Sequence, residues 1–228
     1  MKIQSAVLRE PNKPLTIEEL ELDPPQEKEV LVKYAYTGFC HSDLHLMLGE
    51  IPIALPLAIG HEAAGVVEAV GPGVTKVQKG DHVVGTWMIP CGKCHQCLRG
   101  MGNICSGNFG SFLEGVLLDG TSRMKDKNGA MVRHGNFVSG FSTYSVVPED
   151  GAIPLPKDIP LDQACFMGCC VPTGWGSVTN TANVQPGDSV VVYGLGGVGL
   201  NCLRAAVLRH ANPVIAVDLE GSKDDIAM

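Results

Sequence analysis

Four cysteines, Cys91, Cys94, Cys97 and Cys105, fall in a C-x2-C-x2-C-x7-C run. This run restricts the fold more than any other stretch, because four thiols so close in sequence must share one small loop. Gly92, Lys93, His95, Gln96 and Arg99 make that loop polar, which argues against four sulfurs buried as ordinary apolar groups. Four thiolates close a tetrahedral zinc site and leave no open position, the pattern of a structural metal. Iron also accepts a sulfur tetrahedron and is the chemical competitor. The chain has nine cysteines, an odd number that disulfide pairing cannot exhaust. In a reducing compartment, clustered cysteines mark metal ligands instead.

A second constellation is spread along the chain. Gly38-Phe39-Cys40-His41-Ser42-Asp43-Leu44-His45 packs a thiol, a hydroxyl, a carboxylate and two imidazoles into a turn and a helix start. Gly60-His61-Glu62 adds an imidazole and a carboxylate, and Gly168-Cys169-Cys170-Val171-Pro172-Thr173-Gly174 adds thiols beside small residues. Two thiolates and one imidazole make a three-ligand zinc site with its fourth position open, the catalytic pattern. Taken singly, Cys40 and Cys169 read as small buried hydrophobes and His61 as a core histidine. Their joint occurrence points to metal.

Composition sets the bounds. The 228 residues, 45% hydrophobic and 18% charged, describe a folded chain of one large or two modest domains. A net charge of −7 disfavours a nucleic-acid or anionic-membrane surface. The first residues lack the apolar run of a secretory leader, and Val190 to Leu203 is too short and glycine-rich to span a bilayer. A cytoplasmic protein is the expectation. The 28 glycines and 15 prolines suit a turn-rich β domain.

Glu29 to Thr37 alternates, with Val30, Val32, Tyr34 and Tyr36 expected on one face of a half-buried strand that delivers the chain to Cys40. Ser42 to Leu48 reads as a short helix. Strands follow over Ala63–Val70, His82–Trp87, Thr143–Val147 and Ala152–Leu155, set apart by glycine-rich turns. Beyond Pro160, helices are expected over Leu161–Gly168 and Thr173–Asn183. The apolar run Ser189–Tyr193 suits a buried parallel strand. It leads into Gly194-Leu195-Gly196-Gly197-Val198-Gly199, a helix to about His210, and a strand over Pro213–Val217. Strand, glycines, helix and strand in that order open a dinucleotide-binding fold.

In G-x-G-x-x-G, Gly194 permits the tight turn, Gly196 lets backbone approach a pyrophosphate, and Gly199 allows close helix packing. The helix N-terminus offers unpaired N–H donors to the phosphates. Asp218 ends the next strand, where it can accept from ribose hydroxyls and repel a 2′-phosphate, which favours NAD over NADP.

The sequence resembles the zinc-dependent alcohol dehydrogenases of the medium-chain dehydrogenase/reductase superfamily. Gly60-His61-Glu62, the four-cysteine loop, Asp119-Gly120-Thr121-Ser122-Arg123 and the glycine motif occur in that family's order, and the likeness runs through essentially the whole chain. It implies a mixed β and α/β architecture: a GroES-like β-barrel catalytic domain over residues 1–171, then the first part of a Rossmann fold over 172–228. It implies two zinc ions, one structural in the four-cysteine loop and one catalytic on Cys40, His61 and Cys169, with Glu62 able to enter the latter's shell. The family's ligand lies four residues before the Thr-Gly pair, which selects Cys169 over Cys170, and Cys165 and Cys202 are left to packing.

The resemblance also places Ser42 beside the substrate hydroxyl, His45 at the outer end of a proton relay, and Asp43 behind His61 to fix its tautomer. It sets His41 near the coenzyme pyrophosphate, Thr173 near the nicotinamide and Lys223 near the adenosine ribose. The implied partners are a small alcohol or aldehyde and NAD, with homo-oligomers expected of full-length relatives. A complete dinucleotide domain needs about six strands, so two suggest a truncated Rossmann half that breaks off in a helix at Met228. Poor turnover by these residues alone is expected on that view.

Overall fold

Short apolar segments parted by glycine, proline and aspartate turns fold into ten strands before Gly168: β1 (Lys2–Leu8), β2 (Thr16–Leu22), β3 (Glu29–Gly38), β4 (Leu57–Ala58), β5 (Glu62–Val70), β6 (His82–Gly85), β7 (Met124–Lys125), β8 (Met131–His134), β9 (Tyr144–Pro148) and β10 (Ala152–Leu155). The computed structural model describes residues 1–223 and separates into two units, Met1–Gly168 and a second beginning at Cys169. The final helix expected near Met228 falls outside the described residues.

In the first unit, β1, β2, β7, β8 and β4 close a barrel, and β10, β6, β5, β3 and β9 form a five-stranded sheet in that order. The mixed architecture with a closed small barrel fits the GroES-like expectation. Ile3, Val7, Leu20, Leu22, Met124 and Val132 fill the barrel.

Strand β3 departs from the half-buried expectation. Val30 and Val32 pack with Val67, Val83 and Val147 on one side, while Leu31 joins the barrel core on the other. Its first four residues are therefore all buried. Register shifts against β5 between Leu31 and Val32, and again between Tyr34 and Tyr36, break the period of two. Tyr36 consequently emerges 53% exposed instead of sharing the face of Val30.

Register also builds the site. Gly38 pairs with Glu62 across β3 and β5. Cys40, two residues past β3, and His61, one residue before β5, thus leave the same end of the sheet. Helix α1 (His41–Met47) starts at once, with Cys40 as its N-cap. The four cysteines sit in a loop carrying the single turn α2 (His95–Leu98), followed by α3 (Phe109–Glu114). A last short helix, α4 (Leu161–Ala164), tightens into a 3-10 turn that ends at Gly168.

The second unit pairs β11 (Val190–Tyr193) in parallel with β12 (Val214–Val217), from Val190 against Val214 to Tyr193 against Val217. Helix α5 (Cys170–Gly176) precedes β11, and α6 (Gly197–Leu208) links the two strands. The first of these begins three residues before the expected Thr173, because Pro172 fits a first turn that has no intrahelical use for its N–H. After Gly176 it relaxes into a π turn over Ser177–Thr181, where Ser177 Oγ donates to the Thr173 carbonyl at 2.7 Å. Gly174 lets α5 cross α6 closely, since a Cβ there would lie 2.5 Å from the Val198 carbonyl oxygen. No helix among the described residues is long and apolar enough to cross a membrane.

Candidate metal centres and phosphate loop

Cys91, Cys94, Cys97 and Cys105 converge in the first unit. The Cys91 and Cys97 sulfurs are 4.0 Å apart and those of Cys94 and Cys105 3.9 Å. Zinc–sulfur bonds of about 2.3 Å span a tetrahedron with edges of about 3.8 Å, so the spacing fits zinc. Backbone N–H groups turn inward: Cys94 N donates to Cys91 Sγ at 3.3 Å, and Cys91 N to Cys105 Sγ at 3.2 Å. The Cys97 N–H donates to Cys94 and lowers its thiol pKa to about 5, whereas burial and the neighbouring thiols push Cys97 up to about 11. Donors aimed at sulfur stabilise thiolate, the form that binds metal. At Gly107 a Cβ would press on the Cys91 sulfur at 2.5 Å, so the loop closes only over glycine.

The other grouping is Cys40, His61 and Cys169, whose ligand atoms all lie within 4.8 Å of one another. Cys169 is bonded directly to Gly168, and Gly168 is seated where a Cβ would stand 3.0 Å from the His61 carbonyl oxygen. Both His61 and Asp43 are almost fully buried, with His61 Nδ1 3.0 Å from Asp43 Oδ1. The second Asp43 oxygen accepts from the Cys40 N–H at 3.1 Å. One carboxylate therefore fixes the imidazole and the N-cap together, and leaves His61 Nε2 as the nitrogen that faces a metal. Burial opposes the imidazolium, but hydrogen bonds to Asp43 and Cys40 outweigh it and raise the His61 pKa to about 10. Metal uptake would displace that proton. A soft Cys₂His set with a carboxylate behind the imidazole fits zinc with one position left for an exogenous oxygen.

The remaining expected residues lie as follows. Glu62 is 2% exposed, and a Cβ at Gly38 would collide with its carboxylate. Ser42 sits half-buried in the first turn of α1, while His41 is exposed and stacks obliquely on His45 with centroids 4.8 Å apart. His45 Nδ1 pairs with Glu50. No motif announces Glu50; Gly49, with φ of +72°, reverses the chain and returns it to His45. Thr173 Oγ1 is 3.8 Å from Cys169 Sγ. Cys170 instead lies against Gly197, 3.3 Å from a Cβ placed there. Cys165 donates to the Asp162 carbonyl and Cys202 to that of Gly174.

The three motif glycines have three different surroundings. Gly194 has φ of +88°, which disfavours side chains. A Cβ on Gly199 would collide with the Gly194 carbonyl. One on Gly196, the N-cap of α6, would meet no atom within 4 Å. That open cradle fits a phosphate group at the helix start. Asp218 is already engaged: Oδ2 accepts from Leu195 N at 2.6 Å, Oδ1 from Glu220 N at 3.0 Å, and Lys223 Nζ bonds both oxygens. Those backbone donors, with Lys223, hold its carboxyl well below the usual carboxylate range.

The Asp119-to-Arg123 stretch serves the fold. Arg123 reaches Glu29 through Nε at 2.9 Å and Nη2 at 2.7 Å, and also bonds Asp119 and Thr121.

A barrel with an attached four-thiol loop and an open Cys₂His grouping together define a zinc-type protein class. The sequence profile of the alcohol dehydrogenase GroES-like domain matches residues 26–157. An S-(hydroxymethyl)glutathione dehydrogenase of Synechocystis is 44% identical over 228 residues, covering 100% of this chain and 62% of its own length. One from Saccharomyces cerevisiae is 41% identical over 224 residues, covering 98% of this chain and 58% of its own. Among solved structures, a zinc-binding-domain alcohol dehydrogenase protein from Burkholderia ambifaria superposes with a TM-score of 0.92 at 37% identity, over 100% of this chain and 61% of that one. Benzyl alcohol dehydrogenase from Acinetobacter calcoaceticus gives 0.90, also at 37%, over 100% and 61%. This chain belongs to the GroES-like alcohol dehydrogenase family of the medium-chain dehydrogenase/reductase superfamily. It spans about 60% of the length of the curated relatives it matches.

Proposed function

We propose that this chain carries the metal-binding and first phosphate-binding parts of a cytoplasmic, NAD-linked, zinc-dependent alcohol dehydrogenase that assembles as a homo-oligomer. The observation that carries the reading is the open Cys40–His61–Cys169 grouping with Asp43 buried behind its imidazole. When bound, zinc would lower the pKa of an alcohol oxygen and NAD would take up a hydride. Asp43 holds Nδ1–H of His61 and so keeps Nε2 available as a ligand. Ser42 would accept the alcohol proton and pass it to His45, whose ring Glu50 steadies at Nδ1. Leu195 N, tied to Asp218, holds the glycine loop in shape for the pyrophosphate, with Gly196 leaving room for it. Cys91, Cys94, Cys97 and Cys105 would hold a second zinc, which would fix the loop that carries them.

Cobalt substitution tests the reading directly. A primary alcohol should shift the visible bands of the cobalt protein even where these residues alone turn over poorly. Bands that no alcohol moves would sink it. A second reading, oxidation of a thiol–aldehyde adduct, has in its favour that several relatives are named S-(hydroxymethyl)glutathione dehydrogenases. Comparing S-(hydroxymethyl)glutathione with simple alcohols as substrates separates the two.

A further inference from the structure

Of the seven histidines, only His41 and His45 stand four residues apart. That spacing puts both imidazoles on one face of α1, about one turn from each other. The other side of the helix is anchored. Asp43 and Leu46 are its buried residues, Asp43 against His61 and Leu46 in a core with Leu8, Leu57 and Ile59. The helix therefore cannot roll, and it holds His41 exposed and His45 half-buried at the surface.

The two rings are spaced for a shared ion. Their centroids lie 4.8 Å apart and their planes are inclined at 59°. Metal–imidazole bonds of about 2.0–2.1 Å put an ion about 3.2 Å from each ring centre. Two rings bound at angles between about 90° and the tetrahedral value then have centres about 4.5–5.2 Å apart. The observed spacing falls inside that window. A second observation concerns the carboxylate: Glu50, beyond the reversal at Gly49, pairs with His45 Nδ1. A carboxylate on one imidazole nitrogen fixes the tautomer and leaves the other nitrogen, Nε2, with its lone pair outward. Asp43 does the same for His61 in the buried grouping. A net charge of −7 also draws cations toward the surface.

We propose that His41 and His45 form a third metal site, at the surface, which takes one borderline divalent cation (Ni²⁺, Zn²⁺ or Cu²⁺) through two imidazole nitrogens, with water in the remaining positions. Imidazole suits these ions, whereas Mg²⁺ and Ca²⁺ call for oxygen ligands. An ion there would occupy the His45 nitrogen left to receive the alcohol proton, so surplus metal would stop the proton path. That consequence rests on the dehydrogenase reading above; the site itself does not.

Nickel is the probe, because Ni²⁺ does not oxidise thiols to disulfides as Cu²⁺ does, and elemental analysis tells it from resident zinc. A tag-free chain loaded with zinc and then dialysed against Ni²⁺ should gain one nickel and lose no zinc. His41→Gln and His45→Gln should each abolish that uptake with zinc content and melting temperature unchanged. Glu50→Gln should weaken it by about tenfold or more. His210→Gln, at another exposed histidine, should change nothing. Excess Zn²⁺ should compete with the nickel and excess Mg²⁺ should not. No uptake, uptake only in exchange for zinc, or uptake that survives His45→Gln overturns the site. Failure on these counts leaves the cobalt bands to decide the dehydrogenase reading, and bands that no alcohol moves leave the third site standing on its nickel.

Discussion

Arg123 and Glu29 form a two-pronged ion pair, 94 residues apart in sequence and both about 5% exposed. Glu29 also accepts from Gln26 N at 2.8 Å, so the pair fastens the entry to β3 to the strand-edge segment before β7. Replacing Arg123 leaves Glu29 buried without its counter-charge. Arg123→Met should therefore destabilise the fold by about 3–5 kcal/mol, whereas Arg123→Met with Glu29→Met should recover most of the loss. Urea denaturation of the two variants measures both. A double variant as weak as the single one would remove the unpaired charge as the cause.

Acid should loosen the first unit in a defined window. His134 is fully buried; its Nε2 accepts from Arg123 N at 3.2 Å, and its Nδ1 lies 3.3 Å from Ser139 Oγ. Burial, with the nearby Arg123 charge, drops its pKa to about 3. Between that value and about 6.5 the unfolded chain binds a proton the folded chain refuses, so stability falls as pH falls. About 2 kcal/mol should go between pH 7 and pH 5. Below about 4.5, Glu149 adds to the decline: burial alone would raise its pKa, but the Thr75 and Lys76 backbone donors and Lys28 prevail and lower it to about 2. Thermal melts from pH 7 to pH 4 should show the slope, and His134→Gln should flatten its upper part. An unchanged slope in that variant removes His134 from the explanation.

Metal content should be two zinc ions per chain by elemental analysis. Cys169→Ser should lower it to about one while Cys170→Ser keeps both, because Cys170 lies against Gly197 and Cys169 belongs to the ligand grouping. Loss of metal from the Cys170 variant alone would reverse that assignment.

The phosphate loop offers a paired test. Gly196→Val meets open space in the protein, so it should spare the melting temperature and abolish NAD⁺ binding. Gly199→Ala meets the Gly194 carbonyl, so it should destabilise the second unit itself. Titration calorimetry and melting curves separate the outcomes. Tight NAD⁺ binding by Gly196→Val would deny the loop its role.

What the sequence disclosed follows from how far apart the interacting residues are. The four-cysteine loop, the turn from Cys40 into α1 and the glycine loop are local, so their spacing alone nearly specifies them. The barrel is different, since β4 and β7 are two residues each and find partners far along the chain. No periodicity can show in two residues. The exposure of Tyr36 comes from register shifts, which residue order does not announce. Asp218 shows another limit: its position was legible, but its bonds to Leu195 N and Lys223 arise only once the loop folds back.

The two ligand groups also run on different schedules. The four thiols of Cys91 to Cys105 enclose a short loop, whereas Cys40 and Cys169 are separated by more than half the chain. Closing the longer loop costs about 2 kcal/mol more in chain entropy, and it must await the pairing of β3 with β5. On a ribosome, the compact group is complete while the chain that holds Cys169 is still unmade. Zinc would therefore reach the four-cysteine group first, where it would serve as a nucleus, and the group of Cys40, His61 and Cys169 would fill last. A pulse of thiol-reactive dye during refolding with zinc should find Cys91 to Cys105 shielded while Cys40 and Cys169 still react, so a half-folded chain never holds an exposed, working metal.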